Sequence, residues 1–324
     1  MSQTKHLSDT MKIIVLGSAA GGGFPQWNCN CRNCSGVRNG SIVATPRTQS
    51  SIAVSSNGRD WVLINASPDI LKQIQATPAL QPQRQLRDSG IAAVMLMDAQ
   101  IDHVTGLLML REGRPLPIYC TPSVWNDLTT GLPLMHVLSH YCGVHWHVLP
   151  TNHSHQHQRQ HDQRSAIQIP GIDGISFTPL ALKSKAPPYS EHREQPEPGD
   201  NIGLLIENTV TGKKLFYAPG LGETEAHIDA AMRAADCVLV DGTLWTEDEM
   251  IEQGLSTKKS AQMGHLPQSG EGGMIAVLDA IGKRRKILIH INNTNPILDE
   301  HSEQRATLTR HGIEVAFDGM EITL

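Results

Sequence analysis

Residues 98–106 read DAQIDHVTG, and how this stretch is understood decides the fold. The apolar run IAAVMLM (91–97) leads into it, and the helix-patterned VTGLLMLRE (104–112) leads out. A strand that ends in acids and an imidazole before a helix is where α/β proteins place their sites. Asp102 and His103 are adjacent and can share one metal ion. Asp98 and Gln100 precede them at two-residue spacing, where further ligands are expected. A lone Asp-His pair is more often structural. A second strand end, KILIHINNTNP, presents His290 in a similar place. Asp102, His103 and His290 together make the two-histidine, one-carboxylate facial triad that holds Fe2+ and leaves positions open. The same ligands hold zinc, so ligand type leaves the metal undecided.

The other cluster is NCNCRNC, which sets Cys29, Cys31 and Cys34 as C-x-C-x-x-C. Three thiolates on one tight loop can fill three corners of a tetrahedron around structural Zn2+, with no open position for an activated water. The expected loop has no secondary structure of its own. The fourth corner falls to Asn293, His265 or a nearby carboxylate. Three exposed free thiols this close would be prone to oxidation. The preceding SAAGGGFPQW lacks the G-K-[ST] of a phosphate loop, so its glycines are assigned to a tight turn. Cys120, Cys142 and Cys237 are scattered and read as small buried hydrophobes.

Strands are expected at 12–18, 50–56, 61–65, 91–97, 116–120, 167–171, 175–182, 202–207, 214–218, 237–242, 286–291, 313–317 and 321–324. Helices are expected at 67–74 (capped by Ser67 and Pro68), 121–128, 223–235, 246–253, 269–282 and 299–310. The order is two strand-rich halves without a visible repeat. No clean linker divides them, so residues 11–324 are expected to form one domain and residues 1–10 a disordered extension. The polar stretch NHSHQHQRQHDQR (152–164) is expected to be an exposed insertion without a specific site.

The 324 residues carry a net charge of −5, which excludes a broad nucleic-acid platform. KRRK (283–286) is read as a solvated helix end. No run reaches the roughly 20 apolar residues of a membrane span. MSQTKHLSDT has no apolar core of a secretory signal, which points to the cytoplasm.

DAQIDH also resembles the signature loop of the metallo-β-lactamase fold, H-x-H-x-D-H, and the cysteine insertion after the first strand resembles the phosphodiesterase branch of that fold. VLGSAAGGGFPQWNCNC, NASPDI, QIDHVTGLL, PGDNIGL, FYAPGLG, VDGTLW, GHL and HINNTNPILDE resemble the coenzyme PQQ synthesis protein B family, in one order across nearly the whole chain. The resemblance implies an α/β, four-layer αββα sandwich. It places the first-site histidines of the fold on Asp98 and Gln100, and the second-site ligands on Asp102, His103 and His290. Gly220, in Tyr217-Ala-Pro-Gly220, stands where a metal-bridging aspartate is usual. A third first-site histidine is not clear, since only Asn201 and the more distant His192 are near. Two-metal hydrolysis is therefore not expected. His265 lies where the phosphodiesterase branch places an extra active-site histidine, for acid–base work or orienting substrate; the plainer alternative is a cap on the following helix. Asp241 is expected to face the same cavity. Asp98 is expected to accept a proton or to hydrogen-bond a metal-bound water.

The implied role is in pyrroloquinoline quinone (PQQ) biosynthesis. There, the tyrosine ring of a cross-linked Glu–Tyr unit, excised from a peptide precursor, must gain oxygen. The expectation is an Fe2+- and O2-dependent hydroxylase acting on that small peptide-derived substrate, with other proteins of the pathway as possible partners. The alternatives are a mononuclear hydrolase that trims the precursor and a non-catalytic carrier toward the periplasm. Fold alone is a weak warrant for the first.

Overall fold

The computed structural model describes residues 9–151 and 166–324, so most of the N-terminal extension and the histidine-rich stretch lie outside the described residues. The apolar runs pair into two mixed sheets. The first holds β1 (Lys12–Gly17), β2 (Ser51–Ser55), β3 (Trp61–Ile64), β4 (Ile91–Met95), β5 (Leu116–Cys120) and β6 (Val144–Val148). The second holds β7 (Ile175–Ala181), β8 (Ile202–Asn208), β9 (Lys214–Ala218), β10 (Cys237–Asp241), β11 (Arg285–Ile289) and β12 (Ile313–Val315). A last strand, β13 (Glu321–Thr323), crosses back and pairs with β1, setting Ile322 opposite Ile13. In each half the first three strands are antiparallel and the next three are added in parallel. The two halves thus repeat one topology that their sequences do not reveal.

Burial explains the layering. Strand β10 is apolar up to Asp241 and alternates faces: Cys237 and Leu239 join the core between the sheets, while Val238 and Val240 face the other way. A strand covered on both sides has no reason to carry polar residues. Between the sheets, Ile13, Val15, Val62 and Met95 meet Phe177, Leu204, Tyr217 and Ile287. Outside the first sheet lie Ile70, Val124 and Leu138, from the helices Ile70–Ala76, Pro122–Asp127 and Leu134–Ser139. Outside the second lie Ile228, Met232, Leu278 and Leu308, from Ala226–Ala234, Met274–Ala280 and Glu303–Arg310. The result is the expected αββα sandwich. Among the described residues no helix is long and apolar enough to cross a membrane.

Several local expectations are corrected. The helix expected from Ser67 starts at Ile70 with Asp69 at its N-cap, and the Asp69 carboxylate makes no cap bond but accepts from Gln49 backbone N and Nε2 at 3.0 Å each. The helix expected over 269–282 begins only at Met274, since Gly270 and Gly272 have φ of 91° and 71°. That expected at 246–253 shrinks to Glu249–Glu252. Residues 167–171 give a single bridge, Ile167 to Phe177, rather than a strand. KRRK is no helix end: Arg285 and Lys286 lie in β11, where Arg285 pairs with Glu314 at 2.7 Å. The cysteine loop does have secondary structure, the helix Arg32–Asn39 with Cys31 as its N-cap.

Two strand exits prepare the site. After β3, Asn65 adopts φ 61° and accepts from the Met97 backbone N at 2.9 Å, fixing where β4 ends. After β11, His290 adopts φ 60°. This left-handed backbone is rare for a residue other than glycine or asparagine, and it is sustained by surrounding contacts. Gly106 donates to the Ala66 carbonyl at 2.9 Å, and a Cβ there would lie 2.1 Å from the Ser67 oxygen. Only glycine lets the segment after His103 pack this closely.

Candidate active site and metal centres

Asp102 and His103 sit on the short helix Ile101–Val104 that follows β4, and His290 sits just past β11. Asp102 Oδ2 lies 3.8 Å from His103 Nε2 and 3.4 Å from His290 Nε2. Ligand atoms about 2.1 Å from one shared ion stand roughly 3.0–3.4 Å apart, so the three atoms nearly outline a coordination face. The test of fit is His103. Its Nδ1 meets both oxygens of buried Asp98 at 2.8 Å, while its Nε2 is buried with no hydrogen-bond partner. A buried nitrogen left unpaired at the mouth of two other ligands matches a site built for a cation. Asp98 thus holds the ring in the orientation that carboxylate–histidine–metal arrangements use. Burial alone would lower the His103 value, but Asp98 and Asp102 outweigh it and push the imidazolium up to about 9. Asp102 is held well below the usual carboxylate range: burial opposes this, and His103 and His290 overcome it.

The opposite wall comes from the end of β10. Buried Asp241 accepts from the backbone N of Leu221 at 2.8 Å, from the backbone N of Thr243 at 2.9 Å and from Thr243 Oγ1 at 2.6 Å. Its Oδ2 also meets His265 Nδ1 at 2.6 Å. Thr243 Oγ1 reaches His290 Nδ1 at 2.9 Å and His265 Nδ1 at 3.1 Å, so one hydroxyl aligns both rings. The rings of His265 and His290 stack at 5.2 Å. His265 does not cap the helix that follows; its Nε2 is left for the cavity it lines. Burial would lower the His265 value, but Asp241 raises it. Burial would raise Asp241, but His265 and the Thr243 bonds depress it. Asp241, His265 and His290 also bring donor atoms close together. Asp241 does not face the cavity as expected: it lies buried behind the lining, committed to two amides, a hydroxyl and His265, which makes it a positioning group. Thr243 was not identified from sequence, although its place two residues past Asp241 at a strand end was a usable signal.

Cys29, Cys31 and Cys34 bring their sulfurs together beside Asn293. The Asn293 carboxamide stands 3.0 Å from Cys29 Sγ, 3.7 Å from Cys31 Sγ and 3.3 Å from Cys34 Sγ. Half a turn about its last bond would present an oxygen at the same corner. Burial, with two thiols alongside, pushes the Cys31 thiol up to about 11. Three sulfurs that cannot all ionise unaided suit a divalent ion of zinc's preference. Asn33 ties the loop down by donating to the carbonyls of Asn293 at 3.1 Å and Asn295 at 2.9 Å. His265 is occupied in the cavity and does not join the sulfurs. Cys120 and Cys237 are buried, as expected of small hydrophobes, and Cys142 is half-buried.

The triad, Asp98 and His265 line a cavity of about 290 Å³. Gln100 lines it too, with Nε2 turned to the Lys185 carbonyl at 3.4 Å. A Cβ at Gly220 would meet only His265 Cε1, at 4.0 Å, so the place of a bridging carboxylate is open space. Asn201 reaches the cavity lining, but His192 does not; it lies among Glu191, Glu197 and Asp200.

A family profile described as Beta-lactamase superfamily domain matches residues 60–291. The coenzyme PQQ synthesis protein B of Methylobacillus flagellatus is 59% identical over 315 residues, covering 97% of this chain and 100% of that protein. That of Cupriavidus taiwanensis is 61% identical over 313 residues, covering 96% and 99%. Among solved structures, Zn(2+)-bound PqqB from Methylobacterium extorquens superposes with a TM-score of 0.84 at 38% identity, covering 97% of this chain and 100% of that one. A diphosphatase from the PhnP family superposes at 0.65 with 18% identity and 97% coverage of both chains, a likeness of fold alone.

Proposed function

The chain belongs to the coenzyme PQQ synthesis protein B family, on a metallo-β-lactamase fold, and from that premise we propose that it hydroxylates the tyrosine ring of the cross-linked Glu–Tyr intermediate of PQQ biosynthesis with Fe2+ and O2. One observation carries the proposal: the cavity gathers a single open ligand set, Asp102, His103 and His290. The positions of a second metal are given to Asp98, which orients a ligand, to Gln100 and to Gly220. Asp102 Oδ2 and the two Nε2 atoms would hold the ion. Bound there, Fe2+ supplies activation of O2 at positions that this ligand type leaves free.

The chain's own groups do the rest. Asp98 keeps His103 in the tautomer with Nε2 toward the ion. Thr243, itself held by Asp241, does the same for His290. His265 is paired through Nδ1 with Asp241 and would take or return a proton at Nε2 as the ring is oxidised. The cysteine site, holding Zn2+, would brace the loop after β1. To test the proposal, the protein is loaded anaerobically with Fe2+, given the Glu–Tyr compound and a reductant, and then exposed to O2. Oxygen uptake with a product heavier by one or two oxygen atoms is expected. Turnover that persists without O2, or that zinc alone supports, would refute it and favour the hydrolase.

A further inference from the structure

We propose that Lys185, Arg193 and Lys258 form a cationic rim that captures the carboxylates of the substrate. The inference rests on the substrate assigned above, a cross-linked diamino acid that carries two α-carboxylates and a glutamate side chain. All three cations line the same cavity as the triad. None of them has a carboxylate partner among the described residues. Their immediate neighbours differ. Lys183 is neutralised by Glu223 and Glu225 at 3.3 and 3.6 Å, and Lys259 by Asp248 at 3.5 Å. Of these five neighbouring cations, the two outside the cavity lining are paired and the three within it are not.

Electrostatics favours such a rim. The inner wall carries Asp98 and Asp102, on a chain of net charge −5. One divalent ion offsets these two carboxylates and leaves little net attraction for an acidic ligand, which a cationic rim supplies. Arg193 is also placed in advance: its guanidinium donates to the Ala186 carbonyl, and the Tyr189 hydroxyl ties the same loop to the Ala99 carbonyl. A fork held this way suits a carboxylate better than a freely moving lysine does.

The test is equilibrium binding, without turnover, of the Glu–Tyr compound to zinc-loaded full-length protein by calorimetry. Lys185→Gln, Arg193→Gln and Lys258→Gln are each expected to weaken binding about fivefold to twentyfold. Lys183→Gln should bind as wild type does, and added salt should weaken wild type more than any rim variant. The fully amidated compound should bind at least as weakly as the worst single variant. The proposal is overturned if the three variants bind like wild type, if the amidated compound binds like the acid, or if bis(4-nitrophenyl) phosphate displaces the acid at lower concentration. Because O2 plays no part in this measurement, loss of the hydroxylase assignment would leave the rim standing, and the reverse.

Discussion

Replacing Asp98 with asparagine keeps the shape of the side chain and removes its charge from His103. Asp98 touches His103 Nδ1 with both oxygens at 2.8 Å, and the pair is buried. Outer partners of metal-bound histidines are worth about tenfold to a hundredfold in metal affinity. A second effect runs the other way. In the metal-free protein the His103 imidazolium is pushed up to about 9, so at pH 7 a proton must leave before an ion can bind. Two pH units correspond to roughly 2.7 kcal/mol, or about a hundredfold. Because the raised value favours the imidazolium, metal-free protein draws stability from this group below pH 6.5 and loses it as the pH climbs through 9. Metal affinity rises over the same window. Because half of the imidazole is still protonated at pH 9, wild type should therefore bind the active-site ion about fiftyfold more tightly at pH 9 than at pH 7. Asp98→Asn should show little of that rise, fall about tenfold to a hundredfold below wild type at pH 9, and differ less at pH 7. Competition with a fluorescent chelator at the two pH values, with the cysteine site filled beforehand, reads both numbers. If Asp98→Asn keeps the full pH rise, or matches wild type at pH 9, the role assigned to Asp98 is wrong.

Gly106→Ala would set a methyl 2.1 Å from the Ser67 oxygen and should cost about 3 kcal/mol, read by denaturant unfolding. Wild-type stability in this variant would mean that the backbone yields there. Cys31→Ser should purify with one zinc fewer and a lower melting temperature, whereas His103→Ala keeps the zinc at the sulfurs; elemental analysis decides. Burial pushes Glu249 up to about 7 from an ordinary 4.5, against its bond from Thr294. Stability drawn from its protonated form is present below 4.5 and lost as pH rises to about 7, so Glu249→Gln should stabilise by on the order of 3 kcal/mol at pH 8 and far less at pH 5. Equal gains at both pH values would point to a cause other than ionisation.

How far the sequence was legible follows from what each element depends on. Strands buried on both faces are largely apolar runs, so β10 could be placed within a residue and β11 within two. Strand β6 was not anticipated because VHWHV is only partly buried and carries two histidines. Helix starts were misplaced where the residues before them take non-helical backbone, as Gly270 and Gly272 do ahead of Met274. In the candidate site, Asp102, His103 and His290 could be grouped because each lies past a strand end. The task of Asp98 could not be read, since it depends on a five-residue turn that folds its carboxylate back onto His103. Thr243 could have been read from its place two residues past Asp241, whereas the cationic rim depends on contacts between distant loops that no local pattern announces.

The stretch HINNTN serves both metal centres. His290 turns to the triad, and three residues later Asn293 covers the sulfurs. Between them Ile291 is clamped by Ser18 and Ala20, at 2.9 Å in each bond. A one-residue insertion or deletion here would swing one donor away whichever was kept. The spacing between these two residues is therefore under joint constraint. A shift of backbone register at Ile291 disturbs both ligand clusters at once.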